Sequence, residues 1–188
     1  MKYAALLLIL VGSLNAQLAK PAASVAVPGP EPVIGSKSSK IVRGTLTALE
    51  KRLDGMLFDV GTVNEPVDTL GPTRGIYLEG YGLVFSSELS LMMTPTINPF
   101  NRTITKETIA RTHQRKLERL PQLRKAMREM IRTIGLSLPQ VPENQQIVMV
   151  VRLDYREWED TSGLPGQILI RADRQTAMTG AEIKPEEN

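Results

Sequence analysis

A run of apolar residues at helical spacing fills the middle of this sequence and constrains its fold more than any other feature. The run extends over residues 105–135, and Thr105 and Glu107 are typical of a helix N-terminus. Pro121 interrupts it, so we expect either a kink or two abutting helices. A helix with such a stripe must pack on another layer of structure. The positions of the stripe are Ile109, His113, Leu117, Leu120, Leu123, Met127, Met130, Ile131 and Ile134.

Segments on both sides of this helix have the residue pattern of β-strands. Residues 76–78 and 83–92 are separated by Gly80 and Gly82, which indicates a hairpin turn, or else two bulges in one long strand. Residues 147–153 are the most β-like run in the chain, and residues 167–172 are their predicted partner.

These elements predict an α+β fold, because strands and helices do not alternate regularly along the chain. We expect a mostly antiparallel sheet of about five strands, with the long helix packed on it and a short N-terminal helix. That first helix would span residues 41–54 and stop at Gly55, before a short strand at 56–60. The single domain would cover residues 41–175. Residues 176–188 would form a frayed acidic tail or include a short helix near Thr176.

The start of the sequence has the layout of a secretory signal peptide over residues 1–16. Lys2 precedes an apolar run at 4–11, and Ala16 offers a small residue for cleavage. An uncleaved anchor is the alternative, although this run is much shorter than the roughly 20 residues that span a bilayer. Residues 17–40 are rich in Pro, Ala and Ser and predict a disordered linker. We therefore expect an exported protein, periplasmic or extracellular.

Composition excludes several kinds of site. The chain has no cysteine, so thiol catalysis, cysteine-bound zinc, iron–sulfur clusters and disulfides are all excluded. His113 is the only histidine, which excludes metal sites built from several histidines, and we expect it to pack at the edge of the core. No catalytic, metal-binding or cofactor motif is recognisable, and the sequence resembles no family.

The carboxylates offer the one enzymatic hypothesis. Glu79 and Glu88 lie near the first predicted hairpin, and Asp154 lies at the end of the run 147–153. Two carboxylates at a suitable separation could hydrolyse an envelope polymer by acid–base catalysis. The acidic run that follows Asp154 has no calcium-loop spacing and is typical of a solvated strand end.

Basic residues of the long helix are the better candidates for binding. Residues 104–136 contain nine Lys or Arg against three Glu, whereas residues 154–188 contain eight Asp or Glu against four Lys or Arg. Two rows of arginines repeat every four residues, and such rows need a neutralising partner, either within the chain or outside it. Trp158 is a further candidate, with burial at the sheet edge as the alternative. The arginines are Arg111, Arg115 and Arg119 in the first row and Arg124, Arg128 and Arg132 in the second.

These features favour a non-enzymatic binding or scaffolding module of the bacterial cell envelope. Its partner would be an acidic protein face or an anionic envelope polymer, and not nucleic acid, which an exported protein rarely meets. No cofactor, metal or permanent membrane span is expected, and a carboxylate-dependent hydrolase is the alternative.

Overall fold

The computed structural model describes residues 43–97, 103–180 and 183–188. The predicted signal peptide, the whole of the predicted linker and residues 41 and 42 of the predicted first helix lie outside these residues. The described part of the chain forms three helices and six strands. The helices are α1 (Arg43–Phe58), α2 (Lys106–Ser137) and α3 (Arg174–Thr179). The strands are β1 (Asp68–Thr69), β2 (Arg74–Leu78), β3 (Gly82–Ser90), β4 (Gln146–Leu153), β5 (Gln167–Asp173) and β6 (Glu186–Glu187).

The six strands form one mixed sheet, which confirms the predicted α+β class. Strand β3 pairs antiparallel with β1 and β2 along one side and parallel with β4 along the other. Strand β5 is antiparallel to both β4 and β6. The sheet is mostly antiparallel, as expected, but β3 and β4 run parallel. Two parallel strands require a crossover connection, and α2 lies in that connection.

The helices share one apolar core with one face of the sheet. On that face the alternating residues of the three longest strands are buried, and Leu83 lies opposite Ile147, which lies opposite Ala172. Two positions further along each strand, a second row on the same face consists of Phe85, Met149 and Ile170, which are fully buried. The opposite face keeps exposed residues such as Ser86, Arg152 and Arg171. The sheet is therefore covered mainly on one side, as the alternating pattern predicts.

The prediction for the first helix was wrong at its C-terminal end. Helix α1 continues to Phe58 and so includes the first three residues of the predicted strand at 56–60, and no strand forms there. Leu57 extends the buried stripe that Leu49 and Leu53 begin, so the helical conformation buries one more core side chain. Gly55 lies inside the helix at an exposed position.

Helix α2 is continuous over 32 residues and carries Pro121 in its interior. The side chain of Thr105 accepts a hydrogen bond from the amide of Thr108, which confirms the predicted N-cap. Pro121 is exposed, whereas Leu120 and Leu123 on either side of it are buried in the core. Packing on the sheet thus holds the helix together across the missing amide donor.

Strands β2 and β3 form the hairpin predicted around Gly80 and Gly82. The outer edge of β2 is covered by side chains of α1. Glu50 accepts the amide of Gly75 at 2.9 Å, and Asp54 accepts the amide of Thr73 at 2.7 Å. Edge amides satisfied in this way cannot pair with a strand of another chain.

Candidate functional site

The first arginine row binds other parts of the same chain. Arg115 forms an ion pair with Glu65 at 2.8 Å. Arg119 is buried, and it donates to the carbonyl of Leu91 at 2.6 Å and to the carbonyl of Glu65 at 2.7 Å. Arg111 is exposed and lies 4.0 Å from Glu107 one turn earlier. Two of these three arginines therefore fasten loops to α2.

The second row is only partly engaged. Arg124 donates from Nε and Nη2 to the two carboxylate oxygens of Glu187, at 2.5 and 2.7 Å. This hydrogen-bonded pair raises the pKa of Arg124. Arg128 is half-buried and Arg132 is exposed, and neither has an ion-pair partner among the residues that the structure describes. Within the described residues, the second row therefore has one arginine in an ion pair and two outside any ion pair.

Arg128 and Arg132 line a cleft of about 320 Å³ between α2 and the end of α3. We name it the basic cleft, and its lining residues are Lys125, Arg128, Glu129, Arg132, Ala177, Gly180 and Ile183. Three cationic side chains face one carboxylate, so the cleft favours an anionic group. Guanidinium groups can hold a carboxylate or a phosphate by two parallel hydrogen bonds.

A second unusual cluster surrounds Lys116, which the sequence analysis did not single out. The Lys116 ammonium is fully buried; it donates to Glu159 and, at 3.0 Å, to Ser90 Oγ. The ring of Tyr155 lies 4.8 Å from the ammonium nitrogen, within cation–π range. Burial lowers the pKa of Lys116 and the ion pair with Glu159 opposes that shift, while burial raises the pKa of Tyr155.

This cluster is built to hold a loop rather than to turn over a substrate. A lysine beside a serine can activate a nucleophile in some hydrolases. Here Ser90 Oγ donates its own hydrogen to the carbonyl of Met92, so it accepts from Lys116. The side chains of Lys116 and Glu159 are 0% and 1% exposed, which leaves no approach for a substrate. The ion pair therefore pins the loop after β4 to α2.

Trp158 lies in that pinned loop and is half-buried. Its Nε1 and Glu159 Oε1 are buried and have no hydrogen-bond partner within the described residues. His113 contributes a second attachment, because its Nδ1 lies 2.9 Å from the carbonyl oxygen of Asp160. Trp158 does not line the basic cleft, so the structure does not bring these two predicted binding elements into one cleft.

Of the three candidate catalytic carboxylates, Glu79 lies apart from the other two. Glu79 lies in the turn before β3, whereas Glu88 lies near the other end of that strand. The intervening strand residues span roughly 20 Å, at about 3.4 Å per residue, which exceeds the separation used by glycosidases. Glu88 is paired with Arg152 at 2.6 Å. Asp154 lies near the end of β3 that carries Glu88, because its amide donates to the carbonyl of Leu89.

The described residues contain no group of three or more histidine, aspartate or glutamate residues that could hold a metal ion. In the same part of the chain, no helix has the length and apolar character needed to cross a membrane.

Comparison of this chain with protein-family models, with curated proteins and with solved structures finds no match.

Proposed function

We propose that this protein is a non-enzymatic binding module of the bacterial cell envelope that holds an acidic protein partner at the basic cleft. The observation that carries the proposal is the state of the six arginines. Arg115, Arg119 and Arg124 are used within the chain, whereas Arg128 and Arg132 have no ion-pair partner among the described residues. Cations four residues apart on a helix repel each other mildly, and an external anion would remove that cost.

The lining of the cleft favours a protein over an anionic polymer. Ala177 is buried and Ile183 is half-buried, and both lie beside the guanidinium groups. A protein surface can place an apolar side chain on Ile183 while its carboxylates bind Arg128 and Arg132. A polymer of phosphate and sugar would satisfy the arginines alone.

The proposed location comes from the first 40 residues of the sequence. Their signal-like layout and their Pro-rich continuation are what an exported domain on a tether would carry. The lack of cysteine is compatible with an oxidising compartment because no thiol is present to be oxidised. The domain would then meet its partner in the periplasm or at the cell surface.

Charge reversal in the cleft tests the proposal. The variant Arg128→Glu/Arg132→Glu is compared with Lys51→Glu/Arg52→Glu, which makes the same charge change at exposed positions of α1. Crosslinking in intact cells identifies the partner by mass spectrometry, and titration of the purified partner measures affinity. We expect the cleft variant to bind an acidic protein about tenfold or more weakly, in a salt-sensitive manner, and the α1 variant to bind normally.

Two outcomes would contradict the proposal. Equal binding by both variants would show that the cleft is not the binding surface. Capture of an anionic polymer with no acidic protein would assign the cleft to the other class of partner. Circular dichroism of each variant verifies that the fold is intact.

A further inference from the structure

The last described residues, 186–188, occupy the outer edge of β5. Strand β6 pairs antiparallel with it, with Glu187 opposite Ile168 and Glu186 opposite Leu169. The carbonyl of Asn188 accepts the amide of Gly166 at 2.7 Å, and backbone bonds join Asn188 to Gln167 at 3.2 Å. We name residues 186–188 the edge segment.

The two glutamates of the edge segment each meet an arginine. Glu187 binds Arg124 of α2 through both carboxylate oxygens. Glu186 forms an ion pair with Arg171 of β5 at 3.0 Å. Successive residues of a strand point to opposite faces of a sheet, which is why one carboxylate reaches the helix and the other does not. The edge thus recognises two consecutive acidic residues in an extended backbone.

From these contacts we propose that the edge of β5, with Arg124 and Arg171, is a strand-addition site for an extended acidic segment of the partner, which the edge segment occupies as an internal competitor. The proposal rests on the proposed function, since it names the part of an acidic partner that binds. Strand addition uses main-chain hydrogen bonds for affinity and side-chain pockets for specificity. At this edge, Arg124 and Arg171 would provide the specificity by binding acidic side chains.

The edge segment is short, so a longer strand with the same contacts could replace it. Its strand has only two residues, and both are exposed glutamates that bury no apolar side chain. The side chains of Arg171 and Glu186 are 60% and 57% exposed, so their ion pair contributes about 1 kcal/mol or less. A partner that supplies the same contacts and a longer strand would therefore bind in preference.

The site is continuous with the basic cleft. Arg124 begins the row that Arg128 and Arg132 continue along α2, one turn apart. Displacement of Glu187 would expose the Arg124 guanidinium beside the two that already lack an ion pair among the described residues. A single acidic segment could then bind the β5 edge and place further carboxylates in the cleft.

A labelled peptide with the sequence of residues 183–188, Ile-Lys-Pro-Glu-Glu-Asn, is the probe. Fluorescence anisotropy compares its binding to the full chain and to a chain lacking residues 186–188. We expect the truncated chain to bind at least about tenfold more tightly, because an internal competitor acts at a high effective concentration. Arg124→Glu/Arg171→Glu in the truncated chain should abolish binding, while Lys51→Glu/Arg52→Glu should leave it unchanged. A peptide with Gln-Gln in place of Glu-Glu should not bind.

A second variant covers the case in which truncation damages the fold. Glu186→Lys/Glu187→Lys in the full chain repels Arg124 and Arg171 without shortening the protein, and it should bind the peptide as the truncated chain does. If both variants unfold, the edge segment is a required part of the fold and the proposal is wrong. It is equally wrong if the folded variants bind no better than the full chain, or if the Gln-Gln peptide binds as well.

These results separate this proposal from the proposed function. In one outcome, peptide binding depends on Arg124 and Arg171, but partner binding is unchanged by substitution of Arg128 and Arg132. This outcome would support the strand-addition site and reject the basic cleft. In the opposite outcome, partner binding depends on Arg128 and Arg132, but the peptide binds neither the truncated chain nor Glu186→Lys/Glu187→Lys. This outcome would support the basic cleft and reject the strand-addition site.

Discussion

Lys116 and Glu159 form a buried ion pair that the residues around them in the sequence do not indicate. Lys116 belongs to the most basic stretch of the chain and Glu159 to an acidic run, so both look like solvated charges. They lie 43 positions apart and form a buried pair, with Ser90 Oγ as a further acceptor. Removing one member of such a pair leaves the other buried without a counter-charge.

We predict that Lys116→Met lowers the free energy of unfolding by about 3–5 kcal/mol, because the Glu159 carboxylate would stay buried and unpaired. Lys116→Met/Glu159→Leu should recover a large part of this loss. Arg111→Met is the control, since the pair of Arg111 with Glu107 is exposed and its loss should change stability by less than about 1 kcal/mol. Urea unfolding followed by circular dichroism measures all three. A cost for Lys116→Met no larger than that of the control would contradict the prediction.

The six arginines of the candidate site share one spacing in the sequence but have different surroundings in the structure. The repeat of four residues singled out all six arginines correctly as members of two helical rows. It could not separate buried Arg119, which binds the carbonyls of Leu91 and Glu65, from Arg132, which is exposed. That difference depends on which loops return to the helix, and no local pattern records it.

At the scale of elements, the parallel pairing of β3 with β4 imposes a requirement on Gly82. A Cβ at this position would lie 2.0 Å from the carbonyl oxygen of Gln146, the first residue of β4. Gly82 also has a φ of 136°, a region that other residues avoid. The glycine therefore permits the hairpin to turn and β4 to approach at the same position.

Gly82→Ala should destabilise the protein by more than about 2 kcal/mol, because the added methyl group clashes with backbone that cannot move away easily. Gly80→Ala provides a matched control in the same turn. Gly80 also has a positive φ, of 78°, but a Cβ there has open space, so we expect a loss of about 1 kcal/mol. Thermal unfolding of the two variants compares them directly. Equal losses would show that the close approach of β4 does not matter.

The elements predicted from periodicity agree with the structure where the pattern is long. Helix α2 and strands β3, β4 and β5 lie within a few residues of their predicted positions. The predicted end of α1 is wrong because Gly55 does not stop the helix: it faces solvent, and the buried stripe continues through Leu57. Within the range predicted as a frayed acidic tail, the structure places most of α3 and also β6.

At the scale of the whole domain, acidic pH should weaken the fold through two aspartates. Asp160 accepts the amide of Ser162, and Asp173 accepts the amide of Thr176 at the start of α3. The hydroxyl and amide of Ser162 lower the pKa of Asp160, and the amide and hydroxyl of Thr176 lower the pKa of Asp173. The folded state therefore binds fewer protons than the unfolded chain. Their contribution to stability is complete above the unfolded pKa, near 3.9, and is lost as the pH falls through the lower folded values.

We predict that the melting temperature falls as the pH drops from about 5 to about 2.5, and falls less steeply in Asp160→Asn/Asp173→Asn. Asparagine keeps the acceptor oxygen but does not titrate in this range. Differential scanning calorimetry across the pH series measures both slopes. Identical slopes for the double variant and the unchanged protein would show that other carboxylates dominate.

The sequence by itself determined what depends on neighbouring residues: the long amphipathic helix with its N-cap, the hairpin at Gly80 and Gly82, the β runs and the α+β class. Helical and strand periods repeat within a few residues, so a local pattern is sufficient to predict them. Only the tertiary structure decided that β3 and β4 are parallel and that Lys116 is buried against Glu159. It also decided that Arg124 is occupied by Glu187 while Arg128 and Arg132 lie open in a cleft. Each of these outcomes joins segments that are tens of residues apart, and their pairing follows from how the whole core closes.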